Sequence, residues 1–195
     1  MNLLVLGPQG AGKGTQAKRI AREHGIPHVS TGDMFRAEQE AGSDFGRRVG
    51  EIMATGQLVP DELTIAMIEQ RLAQEDAREG FILDGFPRNL AQAEALDAML
   101  GNIGRTLDAI LFLDVPDEVG MARALKRAEL EDRRDDTPAV IAKRLEIYHS
   151  ETEPIVEHYR ATGKLVPLHA ARTIEEVWSE ISAALDQVAP LEGAR

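Results

Sequence analysis

The chain has 195 residues, 43% hydrophobic and 28% charged, which suits one α/β domain with small insertions rather than two independent domains. A formal net charge of -11 argues against nucleic acid or an anionic membrane as the main partner, although a small anion needs only a local cluster of cations. With no cysteine, disulfides and thiolate zinc sites are excluded and no zinc is expected.

Asn2-Leu3-Leu4-Val5-Leu6 reads as a buried parallel strand. Met1 to Leu6 lacks the basic flank and length of a signal peptide, and no stretch approaches the ~20 apolar residues of a membrane span. The expectation is a cytoplasmic protein, and a monomer because no exposed apolar heptad appears. Gly7-Pro8-Gln9-Gly10-Ala11-Gly12-Lys13-Gly14-Thr15 follows the strand. Gln16 to Gly25 then reads as a helix with Ala17, Ile20, Ala21 and His24 on one face and Gly25 as its stop. A plain glycine-rich turn is the bland alternative, but the flanks on both sides are those of a phosphate-binding P-loop. Glycines let consecutive N–H groups curl around phosphate oxygens, and the helix N-terminus adds a fixed positive partial charge. Gly10, Ala11, Gly12, Lys13, Gly14 and Thr15 are the binding candidates, with Lys13 as a mobile point charge for the outer phosphates. Gly14 replaces the usual Ser or Thr and the hydroxyl comes one place later, at Thr15. Thr15 is thus a weak metal ligand, and Mg²⁺ is expected to be held mainly by phosphates and water.

His28-Val29-Ser30 is a short strand candidate. Met34 to Ala41 and Phe45 to Thr55 read as two short helices, and Phe45, Val49, Ile52 and Met53 recur at helical spacing, at least two of them as ordinary core. Asp61 to Gln74 is a helix with Ile65, Ile68 and Leu72 on one stripe. Phe81-Ile82-Leu83 is a buried strand running into Asp84-Gly85-Phe86-Pro87-Arg88. A helix over Leu90 to Leu100 and a strand from Ala109 to Val115 follow. Pro116-Asp117 opens a helix to about Arg127, and Glu129 to Asp136 is a charged run. Thr137-Pro138 caps a long helix that Pro154 should kink. Leu165 to Leu168 is a last strand, and Thr173 with Glu176 forms a capping box for a helix carrying Trp178, most simply as core. Pro190 to Arg195 reads as a frayed tail. Strands interleaved with helices imply a parallel sheet of about five strands with helices on both faces, of the P-loop NTPase type.

Asp84 ends an apolar strand at a glycine turn, where a carboxylate can reach a nucleotide-bound Mg²⁺ through water; a cap for the next turn is the structural alternative. Asp114 also ends a strand but lacks the Gly-Phe-Pro-Arg continuation and ranks second. A rigid turn at Gly85-Phe86-Pro87 would aim Arg88 across the carboxyl ends of the strands, where open α/β sheets bind ligands. An arginine fork suits phosphate there.

The loop GPQGAGKGTQ, the stretch Ser30-Thr31-Gly32-Asp33-Met34-Phe35-Arg36 and the GFPR turn occur in the order found in adenylate kinases, which the chain resembles over nearly its whole length. The resemblance implies ATP, AMP and ADP as ligands. It places Thr31 near the AMP base, Arg36 and Arg88 on the AMP phosphate, and Gln57, Leu58 and Val59 around its adenine, with Gly85, Phe86 and Pro87 completing that side. Pro60 stands where the family often has Thr or Ser. Thr31 and Gln92 favour AMP over UMP or CMP, whose kinases tend to have Ala and Asn there; an amide can both donate to and accept from an adenine edge. A surface helix residue is the plain alternative for Gln92.

Arg123 and Arg127 share a helix face. By spacing alone they, Arg133 and Arg144 read as a solvated, salt-bridged surface. The resemblance to short-lid bacterial adenylate kinases instead implies that Arg123 and Arg127 approach ATP while Arg133 and Arg144 reach the transferring phosphoryl group and AMP. It also places His169 to Arg172 over the ATP adenine, without the glycine that the family often carries there. Arg134 has no assigned role. His24, His28, His149 and His158 are expected to be structural or solvated. The expected units are one kinase domain over 1–195, with a mobile AMP-binding insertion at 30–59 and a short mobile lid at 126–136. The rival readings are a UMP/CMP kinase of the same fold, a P-loop GTPase, for which the guanine NKxD motif is missing, and a nucleotide-binding regulator without turnover.

Overall fold

In the computed structural model, β1 (Asn2–Leu6) alternates its side chains between two cores, and the rest of the fold is arranged around it. Leu4 and Leu6 enter one core with Phe81, Leu83, Leu96 and Tyr159, whereas Leu3 and Val5 enter another with Ile20, Ile82, Leu111 and Ile181. A strand apolar on both faces belongs in the middle of a parallel sheet. The structure describes residues 1–130 and 137–188. Arg133, Arg134, most of the expected lid and the expected tail lie outside them.

Five parallel strands run in the order β2-β3-β1-β4-β5, with β2 His28–Ser30, β3 Phe81–Asp84, β4 Ala109–Asp114 and β5 Leu165–His169. Strand order turns about β1: the chain builds β2 and β3 on one side and β4 and β5 on the other. The crevice at such a reversal, beyond the carboxyl ends of the strands, is where ligands bind in this class of sheet.

The helices are α1 Lys13–His24, α2 Thr31–Glu40, α3 Asp44–Ala54, α4 Asp61–Leu72, α5 Leu90–Asn102, α6 Asp117–Leu130, α7 Pro138–Ile147, α8 Glu153–Arg160 and α9 Ile174–Val188. Their starts follow the polar caps. The Ser30, Ser43, Asn89 and Thr137 side chains each accept a backbone N–H from the first turn of the next helix. Thr173 and Glu176 exchange reciprocal bonds, Thr173 N–H donating to Glu176 Oε2 at 2.9 Å and Glu176 N–H to Thr173 Oγ1 at 3.3 Å. The Ser30 cap starts α2 at Thr31, three residues before the expected Met34. Pro154 does not simply kink a helix. A π-helical segment, Tyr148–Thr152, separates α7 from α8, with Pro154 in the first turn of α8. A proline ring excludes the carbonyl four residues back, so the widened turn accommodates it while the chain keeps running.

Val49 is buried with Phe35 and Val59 in a small third core, and Phe45, Ile52 and Met53 pack half-buried against it. That cluster joins α2 and α3 to the segment before α4. Trp178 is only half-buried, and the Arg19 guanidinium, paired with Glu175, lies 4.3 Å over its ring. No helix among the described residues is long and apolar enough to cross a membrane.

Two helical glycines separate packing from propensity. A Cβ on Gly46 would stand 1.9 Å from the Glu38 carbonyl oxygen of α2, whereas one on Gly101 in α5 meets nothing within 4 Å. Gly101→Ala should therefore raise stability by about 0.5 kcal/mol, and Gly46→Ala should lower it by about 1–3 kcal/mol, as read by urea unfolding.

Candidate active site

The carboxyl ends of β1, β2 and β3 open into a cleft of about 710 Å³, in the size range of small-molecule sites. Its floor is the loop after β1. Gly10 and Gly12 take left-handed backbone conformations (φ 79° and 89°), and α1 begins at Lys13 with Gly12 as its cap. Lys13 folds back so that Nζ donates to the carbonyls of Gly7 and Pro8, at 2.7 Å each. Burial lowers its pKa most, to about 7; Asp84 opposes the shift, while Arg88 and Arg127 add to it. Gly10, Ala11, Gly12, Gly14 and Thr15 all line the cleft with it.

Asp84 faces this loop from the end of β3. A Cβ on Gly14 would lie 3.4 Å from Asp84 Oδ2, so the strand-end carboxylate and the phosphate loop meet at the position where a hydroxyl was missing from the motif. His28 Nε2 lies 3.2 Å from the same oxygen, with the two side chains only 12% and 13% exposed. Burial opposes ionisation of Asp84 most strongly, yet the His28 bond and the charges of Lys13, His28 and Arg88 hold its pKa below the ordinary value. His28, expected from the sequence to be structural or solvated, lines the cleft in the structure. The parallel pairing of β2 with β3, Ser30 beside Asp84, brings it there. Asp114, the second-ranked carboxylate, does not line the cleft.

The Asp84 carboxylate suits Mg²⁺, a hard ion that keeps waters and takes phosphate oxygens as further ligands, and Thr15 lines the same cleft. Among the described residues no three His, Cys, Asp or Glu side chains gather as a cation cage.

A further wall comes from α2, the Gly56 to Val59 segment and the turn after β3. Thr31, Arg36, Gln57, Leu58, Val59, Gly85, Arg88 and Gln92 all line it. Thr31 Oγ1 donates to the Gly85 carbonyl at 2.9 Å, and Arg88 Nε donates to the same oxygen at 2.7 Å. Arg36 pairs with Asp33 at 2.5 Å. Gln92 is 1% exposed, which corrects the surface-residue alternative. Its Oε1 accepts the Arg88 N–H at 2.8 Å and its Nε2 donates to Asp61 at 2.7 Å, leaving one N–H and one lone pair. Phe86 and Pro87 do not line the cleft. Phe86 is buried in the core below, so its ring shapes the turn rather than the wall.

Arg123, Arg127, Arg144 and Arg172 close the remaining sides. Arg123 donates to the carbonyls of Ala170 and Arg172 at 2.7 and 3.0 Å, so backbone oxygens rather than surface acids hold it. Arg144 donates to the Met53 carbonyl at 3.2 Å, and Arg172 pairs with Glu180. His149, between Asp117 and Glu153, and His158, beside Asp97, lie on the surface away from the cleft.

The family model that matches this chain is described as "Adenylate kinase" and covers residues 5–164. An adenylate kinase of Xanthomonas euvesicatoria pv. vesicatoria (strain 85-10) is 49% identical over 185 residues, 95% of this chain and 99% of the relative. One from Xanthomonas campestris pv. campestris (strain B100) is 48% identical and one from Stenotrophomonas maltophilia (strain R551-3) 45% identical, with the same coverage.

The lowered Lys13 pKa makes its charged form a burden on the folded state. That cost is full below about pH 7 and is relieved as pH rises toward the ordinary value of 10.5. Raising the pH from 6 to 9 should therefore shift the unfolding free energy in favour of the unsubstituted chain relative to Lys13→Met, by urea melts without nucleotide. A pH-independent difference would contradict this assignment.

Proposed function

This chain belongs to the adenylate kinase family, and from that premise we propose that it catalyses the reversible transfer ATP + AMP = 2 ADP. The observation that carries the reading is one cleft lined together by the phosphate loop, by the Thr31, Gln57 to Val59 and Gln92 wall, and by Lys13, Arg36, Arg88, Arg123, Arg127 and Arg144. One bound nucleotide would not require so many phosphate-directed groups.

ATP lies along Gly10 to Thr15, with Arg123 and Arg127 on its phosphates and Arg172 beside its base. AMP lies against Thr31, Arg36, Gln57, Leu58, Val59, Gly85 and Gln92, with Arg88 on its phosphate. Lys13, Arg88, Arg123, Arg127, Arg133 and Arg144 hold donor and acceptor in line and neutralise the charge that develops on the transferring group. The acceptor is already an anion, so no general base is needed. The bond from the γ-phosphorus to the ADP leaving oxygen breaks as one to an AMP phosphate oxygen forms, without a covalent enzyme intermediate. Asp84, through water, and more weakly Thr15 would hold Mg²⁺, which would supply further charge neutralisation on the phosphates. Closure of the insertion at 30–59 and of the lid at 126–136, expected from membership of the family, keeps water from the γ-phosphate. A monomer working in the cytoplasm, helping to maintain adenine nucleotide balance, completes the reading.

Acceptor choice rests on Thr31 and Gln92. A UMP/CMP kinase is the second reading on the same fold, and a non-catalytic nucleotide-binding regulator the third. ADP formation from Mg-ATP with AMP, UMP or CMP separates them. The expected result is two ADP per ATP consumed with AMP, with much weaker turnover on UMP or CMP. Acceptor-independent binding without ADP would favour the regulator. Arg88→Met should lower kcat by about 10²-fold or more, because it removes a charge that acts on the reacting phosphates.

A further inference from the structure

Arg88 is anchored at three points, and one of them comes from a distant part of the chain. Its N–H donates to Gln92 Oε1 at 2.8 Å and its Nε donates to the Gly85 carbonyl at 2.7 Å, both local to the turn and α5. Its own carbonyl accepts a bond from Thr152 Oγ1 at 2.7 Å, across 64 positions in sequence. Thr152 is 5% exposed, does not line the cleft, and has no part in the chemistry described above.

The location of Thr152 is unusual. It is the last residue of the π-helical segment, immediately before α8. A threonine inside a regular helix commonly turns its hydroxyl onto a carbonyl of its own preceding turn. Here the hydroxyl donates outward, to the one carbonyl that belongs to Arg88. The same helical run carries Arg144, close enough to Arg88 to act on its charge. Insertions of this kind in helices are frequent at functional sites.

We infer that Thr152 is a positioning residue for Arg88: its hydroxyl fixes the carbonyl end of that residue and sets the register of the Arg144 helix against the turn. This rests on the assignment of Arg88 to the AMP phosphate. Gln92 and Gly85 restrain Arg88 from its own turn and would move with it, whereas Thr152 ties it to a separate element. A buried hydroxyl with a merely structural role would affect folding alone.

Thr152→Val keeps the shape and removes the donor, and Thr152→Ser keeps the donor. Calorimetry with AMP, steady-state kinetics and thermal melts are measured for both variants and the unsubstituted chain. Thr152→Val should raise the AMP Kd and the KM for AMP about tenfold, lower kcat, and leave the KM for ATP within about twofold. Thr152→Ser should stay near the unsubstituted chain. In an Arg88→Met background, Thr152→Val should cost nothing further in kcat/KM. Thr152→Ala removes the same donor without placing a new methyl against the carbonyl, and should give the same AMP-specific loss if Thr152→Val does not fold. A lowered melting temperature with unchanged AMP Kd and kcat would overturn the inference, as would an undiminished loss in the Arg88→Met background. If the unsubstituted chain bound AMP without turning it over, the proposed reaction would fail, and the AMP Kd series would still decide the role of Thr152.

Discussion

A cleft built to hold phosphates has to gather cations where little water can screen them, and it must do so with the phosphates absent. Like charges at short range in a partly desolvated site repel strongly. The fold meets this constraint with oxygen atoms. Lys13 turns onto the Gly7 and Pro8 carbonyls, Arg123 onto Ala170 and Arg172, and Arg144 onto Met53. Asp84 supplies an acidic partner near Lys13 and Arg88. Burial most of all, with the charges of Arg88 and Arg127 adding to it, lowers the Lys13 pKa and marks the cost of holding a cation in this cleft. In a chain of net charge -11, the cationic cleft is a local exception to the global sign.

Close backbone approach is the second requirement, because a phosphate loop works through its N–H groups. A Cβ on Gly10 would stand 2.0 Å from the Gly120 carbonyl oxygen, and one on Gly120 would stand 2.6 Å from the Gln9 carbonyl oxygen. The loop thus rests directly on the backbone of α6, the helix that carries Arg123 and Arg127. The loop and the arginine face are registered against each other without intervening side chains. A glycine inside a helix ordinarily weakens it, which makes Gly120 intelligible only through this contact.

The acceptor wall is held by a polar network rather than by close packing. Asp61 accepts from both Asn89 and Gln92, Gln92 accepts from Arg88, and Arg88 accepts from Thr152. The chain of bonds runs from the start of α4, just after the Gln57 to Val59 segment, to the π-helical segment. Three separate stretches of sequence are thereby locked around the backbone of Arg88. Buried polar groups held this way are costly to leave unpaired, so the network is sensitive to the loss of any single member.

The sequence by itself determined the local features. The unbroken apolar run Leu3 to Leu6 marked β1 as a buried parallel strand, the caps at Thr137 and Thr173 placed helix starts, and the glycine loop with its strand and helix flanks placed the phosphate site. These are short-range signals, readable because each depends on neighbours within a turn or a strand. Only the tertiary structure decided which distant residues meet. His28 joins Asp84 because β2 lies beside β3, Gln92 is buried because Asp61 and Arg88 close on it, and Phe86 sinks into the core while Arg88 does not. Thr152 reaches Arg88 because Pro154 widens the helix before it. Such pairings depend on strand order and helix register, which no spacing along the chain encodes.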